Sequence, residues 1–234
     1  MPRTIVETLN LSKLDLPSVV AEDGVVVLII GRRATGKSVL AMNVLRAAGL
    51  LDKETRGHVY SPTEETTPFY GPAFADAPDV RVISEYSPTS LVLNNVGGLG
   101  VDKRGGSTRS FVVFDNCMYD ANWADAREIN RLFASARRTR TTVVLTIPYA
   151  FELPPFLRSY VDYVFMLREN NVQCLKRLHQ LYAPVFDELD VFSKVMDDVT
   201  KDKGTCVVID NAPKSSRLED HVLWYAADSP AATE

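Results

Sequence analysis

Val25-Val26-Val27-Leu28-Ile29-Ile30-Gly31-Arg32-Arg33-Ala34-Thr35-Gly36-Lys37-Ser38 is the stretch that decides the fold. Six consecutive apolar residues describe a buried strand, and G-x-x-x-x-G-K-S follows them without a gap. The eight-residue pattern arises by accident in about one chain of this length in a hundred. The helix-like segment Ser38–Ala48 behind it makes accident rarer still. Gly31 and Gly36 permit backbone conformations closed to residues with a Cβ, so successive N–H groups turn inward toward phosphates. The helix start adds unsatisfied amides and the positive end of its dipole. Gly31, Arg32, Arg33, Ala34, Thr35, Gly36, Lys37 and Ser38, with Val39 behind them, are therefore the expected ATP-binding segment. Lys37 is expected on the β and γ phosphates and Ser38 as a ligand to Mg2+. Arg32 and Arg33 occupy variable positions of the loop. They read as solvated side chains or as the lining of a subunit-facing or phosphate-facing surface.

Outward from this loop, strands alternate with helical stretches. Strands are expected at 58–61, 80–84, 111–114, 143–146, 163–167, 206–210 and 222–225. Helices are expected at 89–96, 125–138, 173–182 and 185–199. That alternation predicts an α/β fold, a P-loop NTPase with a mostly parallel central sheet flanked by helices. The chain reads as a single such domain over 1–234. Residues 1–20 form an N-terminal extension, and 200–234 carry the C-terminal strands and a tail. Residues 97–110 form a flexible loop with five glycines and the basic Lys103, Arg104 and Arg109.

Phe111-Val112-Val113-Phe114-Asp115 ends an apolar strand in an acid, which delivers a carboxylate to the C-terminal edge of the sheet where ligands of α/β folds bind. Behind a P-loop, Asp115 is expected to hold Mg2+ directly or through water. Other chemistries are not suggested. Cys117, Cys174 and Cys206 are odd in number and widely spaced, fitting neither a disulfide framework nor a zinc site. His58, His179 and His221 are equally isolated. Net charge is −4, which argues against a protein coated in basic surface but leaves room for a local basic patch. No apolar run reaches membrane-spanning length and the N-terminus does not read as a secretory signal, so secretion is not expected.

Several stretches resemble the genome-packaging ATPases of nucleocytoplasmic large DNA viruses, relatives of the FtsK–HerA pumping ATPases. They are Ser61-Pro62-Thr63-Glu64, Phe114-Asp115-Asn116-Cys117-Met118-Tyr119-Asp120, the long segment from Leu153 to Asn171 and Leu218–Tyr225. Leu153–Asn171 is the most specific of these, with its proline pair, Leu157-Arg158, Asp162-Tyr163-Val164-Phe165 and Arg168-Glu169-Asn170. The resemblance implies a RecA/FtsK–HerA-like sheet, ATP and Mg2+, and a homo-oligomeric ring. It further implies translocation of double-stranded DNA into a capsid, with a capsid or portal-vertex protein as partner. The location implied is the host cytoplasm or viral factory, with possible association with the virion. A neighbouring subunit would supply an arginine finger, and Arg137 and Arg158 are the candidates. Lys103, Arg104 and Arg109, or the cluster Arg137-Arg138-Thr139-Arg140, would meet DNA, unless they are simply solvated.

Two positions depart from the family pattern. Asn116 stands where an acid is common, and an amide can orient water but cannot take its proton. Glu64, Glu65 or Asp120 would then supply the carboxylate. Pro148 stands where a sensing glutamine is frequent, so that role is lost or passes to Thr146. Two alternatives to the motor follow: an ATP-binding structural or regulatory subunit with weak hydrolysis, and a small-molecule P-loop kinase.

Overall fold

The strand in front of the P-loop lies in the middle of the sheet, and the rest of the chain is arranged about it. The computed structural model describes residues 5–20, 24–93, 109–117, 126–150 and 153–228. In chain order the elements are α1 (Ile5–Thr8), β1 (Ser12–Lys13), α2 (Leu16–Val20), β2 (Val26–Ile30), α3 (Lys37–Ala47), β3 (Arg56–Tyr60), α4 (Tyr70–Ala73), β4 (Val80–Ile83) and α5 (Pro88–Leu93). There follow β5 (Ser110–Asp115), α6 (Arg127–Ser135), β6 (Thr141–Ile147), α7 (Pro155–Arg158), β7 (Tyr163–Met166) and α8 (Val172–Tyr182). The last elements are α9 (Leu189–Val199), β8 (Thr205–Asp210), α10 (Leu218–His221) and β9 (Val222–Ala226).

Among the described residues nine strands form one sheet in the order β1-β9-β8-β7-β2-β6-β5-β3-β4. Every pairing is parallel except those of β8, which runs antiparallel to both β7 and β9. The expected α/β architecture with a mostly parallel sheet is what the structure shows. Elements that sequence periodicity did not suggest are short: α1, β1, α2, α4, α7 and α10.

Period-two alternation divides the core between the two faces of the sheet. Val26, Leu28 and Ile30 of β2 join one apolar cluster with Val112 and Phe114 of β5 and with α6, α8 and α9. Val27 and Ile29 join the other, with Phe111 and Val113 and the buried face of α3 (Leu40, Ala41, Val44, Leu45). Strands buried on both faces need continuous apolar runs, and β2, β5 and β6 are buried at every position. The register pairs Val26 with Val143 and Ile30 with Ile147. It also pairs Asp115 with Thr146, so these two side chains leave the same end of neighbouring strands.

His58 is the polar exception in β3. It is 4 % exposed, and its Nδ1 has no hydrogen-bond partner among the described residues. Burial, helped by repulsion from Arg81, lowers its pKa to about 4. A histidine kept neutral by the fold takes up its proton more readily in the unfolded chain, whose pKa is near 6.5. Its stabilising effect is therefore full above about pH 6.5 and is lost as pH falls toward 4. Urea unfolding should show a loss on the order of 2 kcal/mol between pH 7 and pH 5 from this group. In His58→Phe that part of the slope should vanish.

Candidate functional site

The P-loop leaves β2 and closes within a few residues on α3. A Cβ on Gly31 would lie 2.6 Å from Thr35 Oγ1 and 2.8 Å from Leu167 Cβ, so no larger residue fits there. Gly36, with φ of 100°, caps the start of α3 in the left-handed region that glycine enters without strain. Ala34 also has positive φ. The Thr35 hydroxyl and Lys37 Nζ both donate to the Arg32 carbonyl, at 2.7 and 3.0 Å. Burial lowers the Lys37 pKa, and the negative charge of Asp115 partly offsets this. Arg32 and Arg33 are exposed. The loop thus holds a partly buried ammonium above a turn of backbone amides, an arrangement that suits a polyphosphate.

Asp115, at the end of β5, gathers the remaining elements. Its Oδ2 accepts the Ser38 hydroxyl at 2.6 Å and the Tyr70 hydroxyl at 2.9 Å, and its Oδ1 accepts the Thr146 hydroxyl at 2.5 Å. A carboxylate offers about four lone-pair positions, so three hydroxyls leave one, on Oδ1. Ser38 from the loop helix and Asp115 from β5 are oxygen donors side by side, the donor set that a small hard cation such as Mg2+ prefers. Thr146 is fully buried. Its hydroxyl also accepts the Asn116 N–H at 3.1 Å, which ties Asn116 to the end of β6.

Tyr70 was not apparent from sequence. It is fully buried, and burial beside Asp115 raises its pKa well above the usual phenol value, so it donates as a neutral hydroxyl. Glu64 sets its position. One Glu64 oxygen accepts the N–H groups of Phe69 (3.0 Å) and Gly71 (2.6 Å), and the other accepts that of Tyr70 (3.2 Å). Both oxygens of Glu64 thus help to hold the turn that starts α4. Glu65 accepts the Ser84 hydroxyl at 2.6 Å.

Asn116 is exposed and has φ of 59°, in the left-handed region where Asn is among the few comfortable residues with a Cβ. Backbone geometry therefore favours asparagine here, apart from any chemistry. Pro148 follows β6 and lines a cavity of about 530 Å³ beside the P-loop, together with Arg32, Arg33, Tyr149, Cys174 and the buried Glu169.

Both arginine candidates lie at the opposite edge of the sheet. Arg137 pairs with Asp162 at 2.5 Å, and Asp162 also accepts the N–H of Val26, the first residue of β2. Five residues of strand separate that point from the P-loop, roughly 16 Å. Arg158 closes α7 beside a cavity of about 310 Å³ shared with Tyr182 and Asn211, and its Nη1 is buried without a partner among the described residues. Arg109 donates to the Ala48 carbonyl at the C-terminal end of α3, a position where a cation complements the helix dipole. Lys103, Arg104, Met118, Tyr119 and Asp120 lie outside the described residues. In the Arg168-Glu169-Asn170-Asn171 run, Arg168 donates to the Thr200 carbonyl, Glu169 accepts two backbone amides, and Asn171 caps α8.

No family model matches the chain. Its sequence is 28 % identical to the uncharacterized protein L437 of Acanthamoeba polyphaga mimivirus, over 93 % of this chain and 77 % of that protein. It is 30 % identical to the uncharacterized protein 015R of Frog virus 3 (isolate Goorha), over 87 % of this chain and 62 % of that one. The fold is similar to that of B204, the DNA-packaging ATPase from Sulfolobus turreted icosahedral virus. That match has a TM-score of 0.61 at 14 % identity and covers 90 % of this chain and all of B204. The genome packaging NTPase B204 from Sulfolobus turreted icosahedral virus 2, in complex with ATP-gammaS, matches with a TM-score of 0.55 at 14 % identity, over 86 % of this chain and 96 % of that one. The fold, with its mostly parallel sheet and P-loop, thus resembles those of P-loop packaging ATPases and FtsK-type ATPases. The sequence relatives come from large DNA viruses, the group to which Leu153–Asn171 points.

If the Tyr70 hydroxyl supports the Asp115 carboxylate, Tyr70→Phe keeps the ring and removes only the donor. Urea unfolding should show a loss of about 1–3 kcal/mol, the usual cost of depriving a buried carboxylate of a hydrogen bond. A change below about 0.5 kcal/mol would mean that the contact is incidental.

Proposed function

We propose that this chain is the ATP-hydrolysing subunit of a viral DNA-packaging motor. The observation that carries the proposal is the 2.6 Å hydrogen bond from Ser38 to Asp115. It joins the P-loop to the acid of the central strand in a fold similar to that of a protein described as a DNA-packaging ATPase. The loop amides and Lys37 bind the phosphates of ATP and orient them for in-line attack. Ser38 and Asp115 would hold Mg2+, which when bound supplies positive charge against the phosphoryl oxygens. Tyr70 and Thr146 keep Asp115 aimed, because each donates a hydrogen bond to the carboxylate.

The arginine finger is taken to act between subunits. Arg137 and Arg158 lie too far from the P-loop of their own chain, whereas a neighbour in a homo-oligomeric ring can present either one to it. Moving double-stranded DNA of any sequence calls for contacts to phosphate rather than to bases, and such contacts weaken with salt. Exposed Arg138 and Arg140 at the end of α6 suit this. A capsid or portal-vertex protein completes the proposed assembly, which would work in the host cytoplasm or viral factory.

A second reading has support of its own. Asn116 offers no carboxylate and Pro148 no sensing amide, so ATP could switch assembly state with little turnover. Phosphate release with and without double-stranded DNA separates the two. The motor predicts DNA stimulation that Lys37→Ala abolishes, with a fall of at least about 10²-fold. A wild type that binds ATP yet releases phosphate no faster than Lys37→Ala supports the second reading.

Trans action has its own test. Lys37→Ala and Arg158→Ala (or Arg137→Ala) should each be inactive alone, and mixing them should recover part of the activity. No recovery for either arginine would place the finger elsewhere.

A further inference from the structure

We infer that Glu169 is the carboxylate that accepts the proton of the attacking water, the task for which Asn116 is unsuited. The inference rests on the reading of the chain as an ATPase. Glu169 is 6 % exposed, an unusual place for an acid with no cation paired to it among the described residues. Its Oε1 accepts the backbone N–H groups of Asn170 and Asn171, each at 2.8 Å. No described residue donates to Oε2. The side chain is therefore anchored by one oxygen and keeps the lone pairs of the other.

Glu169 belongs to the lining of the 530 Å³ cavity beside the P-loop, which it shares with Arg32, Arg33 and Pro148. The cavity has room for water many times over. The other described acids near the loop do not line this cavity. Asp115 holds three hydroxyls, Glu64 three amides, and Glu65 the Ser84 hydroxyl. Glu169 is the described carboxylate in this cavity, and it shares the space with the two variable arginines of the loop.

The step balances simply. Water oxygen forms a bond to the γ-phosphorus while the bond from that phosphorus to the β,γ-bridging oxygen breaks, and the electron pair leaves with ADP. The water proton passes to Glu169 Oε2 and from there to solvent. Anchoring through Oε1 is what makes Oε2 a fixed acceptor, since the carboxylate cannot rotate without losing two amide hydrogen bonds.

Glu169→Gln in the full chain separates this role from simple support of the turn before α8. The amide oxygen of glutamine can accept the same two N–H groups, so the turn is kept and only the proton acceptor is lost. DNA-stimulated phosphate release should fall by about 10²-fold or more, a typical worth of a general base. Binding of ATP-gammaS and the melting temperature should stay as in wild type. Glu169→Ala should be equally slow and should recover rate on addition of formate, which enters the vacated space as a carboxylate.

A fast wild type with Glu169→Gln within about threefold of it overturns the assignment and leaves the ATPase reading intact. The assignment fails in the same way if ATP-gammaS affinity falls as much as the rate, or if formate restores nothing. A wild type no faster than Lys37→Ala overturns both.

Discussion

Everything near the nucleotide cradle is referred to one buried carboxylate. Asp115 is 7 % exposed, and taking such a charge out of water costs several kcal/mol unless hydrogen bonds replace the lost hydration. Three hydroxyls do so, and they come from three separate parts of the chain: the start of α3, the start of α4 and the end of β6. Hydrogen bonds to a charged acceptor are each worth about 1.5–3 kcal/mol, enough to offset that cost and to fix the three elements relative to one another. The relation between P-loop and central strand is thus set by electrostatics as much as by the apolar packing beneath it.

The fold was legible because its signals are local. Six apolar residues before Gly31 and four before Asp115 suit strands inside a parallel sheet with both faces covered, and β2 and β5 are such strands. The P-loop was legible for the same reason, since its glycines, Lys37 and Ser38 are contiguous. Tyr70 was not, because the property that matters is a contact across 45 residues of chain. Nothing in Phe69-Tyr70-Gly71 reveals that the phenol is buried against an aspartate. The three backbone amides that Glu64 accepts were not legible either, since they lie in the turn five to seven residues further on.

Much of the charge in the most distinctive segments serves the backbone. Glu64, Glu169, Arg109, Arg168 and Asn171 all bond to main-chain groups where a helix or turn begins or ends. Such ends carry amides and carbonyls that regular structure leaves unsatisfied. Conspicuous polar residues in a signature can therefore report where chain segments must be capped. Asn116 fits the same logic, since a left-handed residue at the exit of β5 narrows the choice of side chain before any chemistry is considered.

The P-loop stands at one edge of the sheet, and the Arg137–Asp162 pair and Arg158 stand at the other. Two copies of a molecule with unlike chemistry at its two ends can join those ends in two ways. An antiparallel twofold pair sets each end against the other end of its partner and closes at two copies. Copies that follow one another in a single sense make heterologous contacts, and that assembly either closes as a cyclic ring or winds on as a helix, depending on the rotation per step. A two-ended sheet of this kind thus carries a direction, and a closed ring built from it gives each subunit a leading and a trailing neighbour.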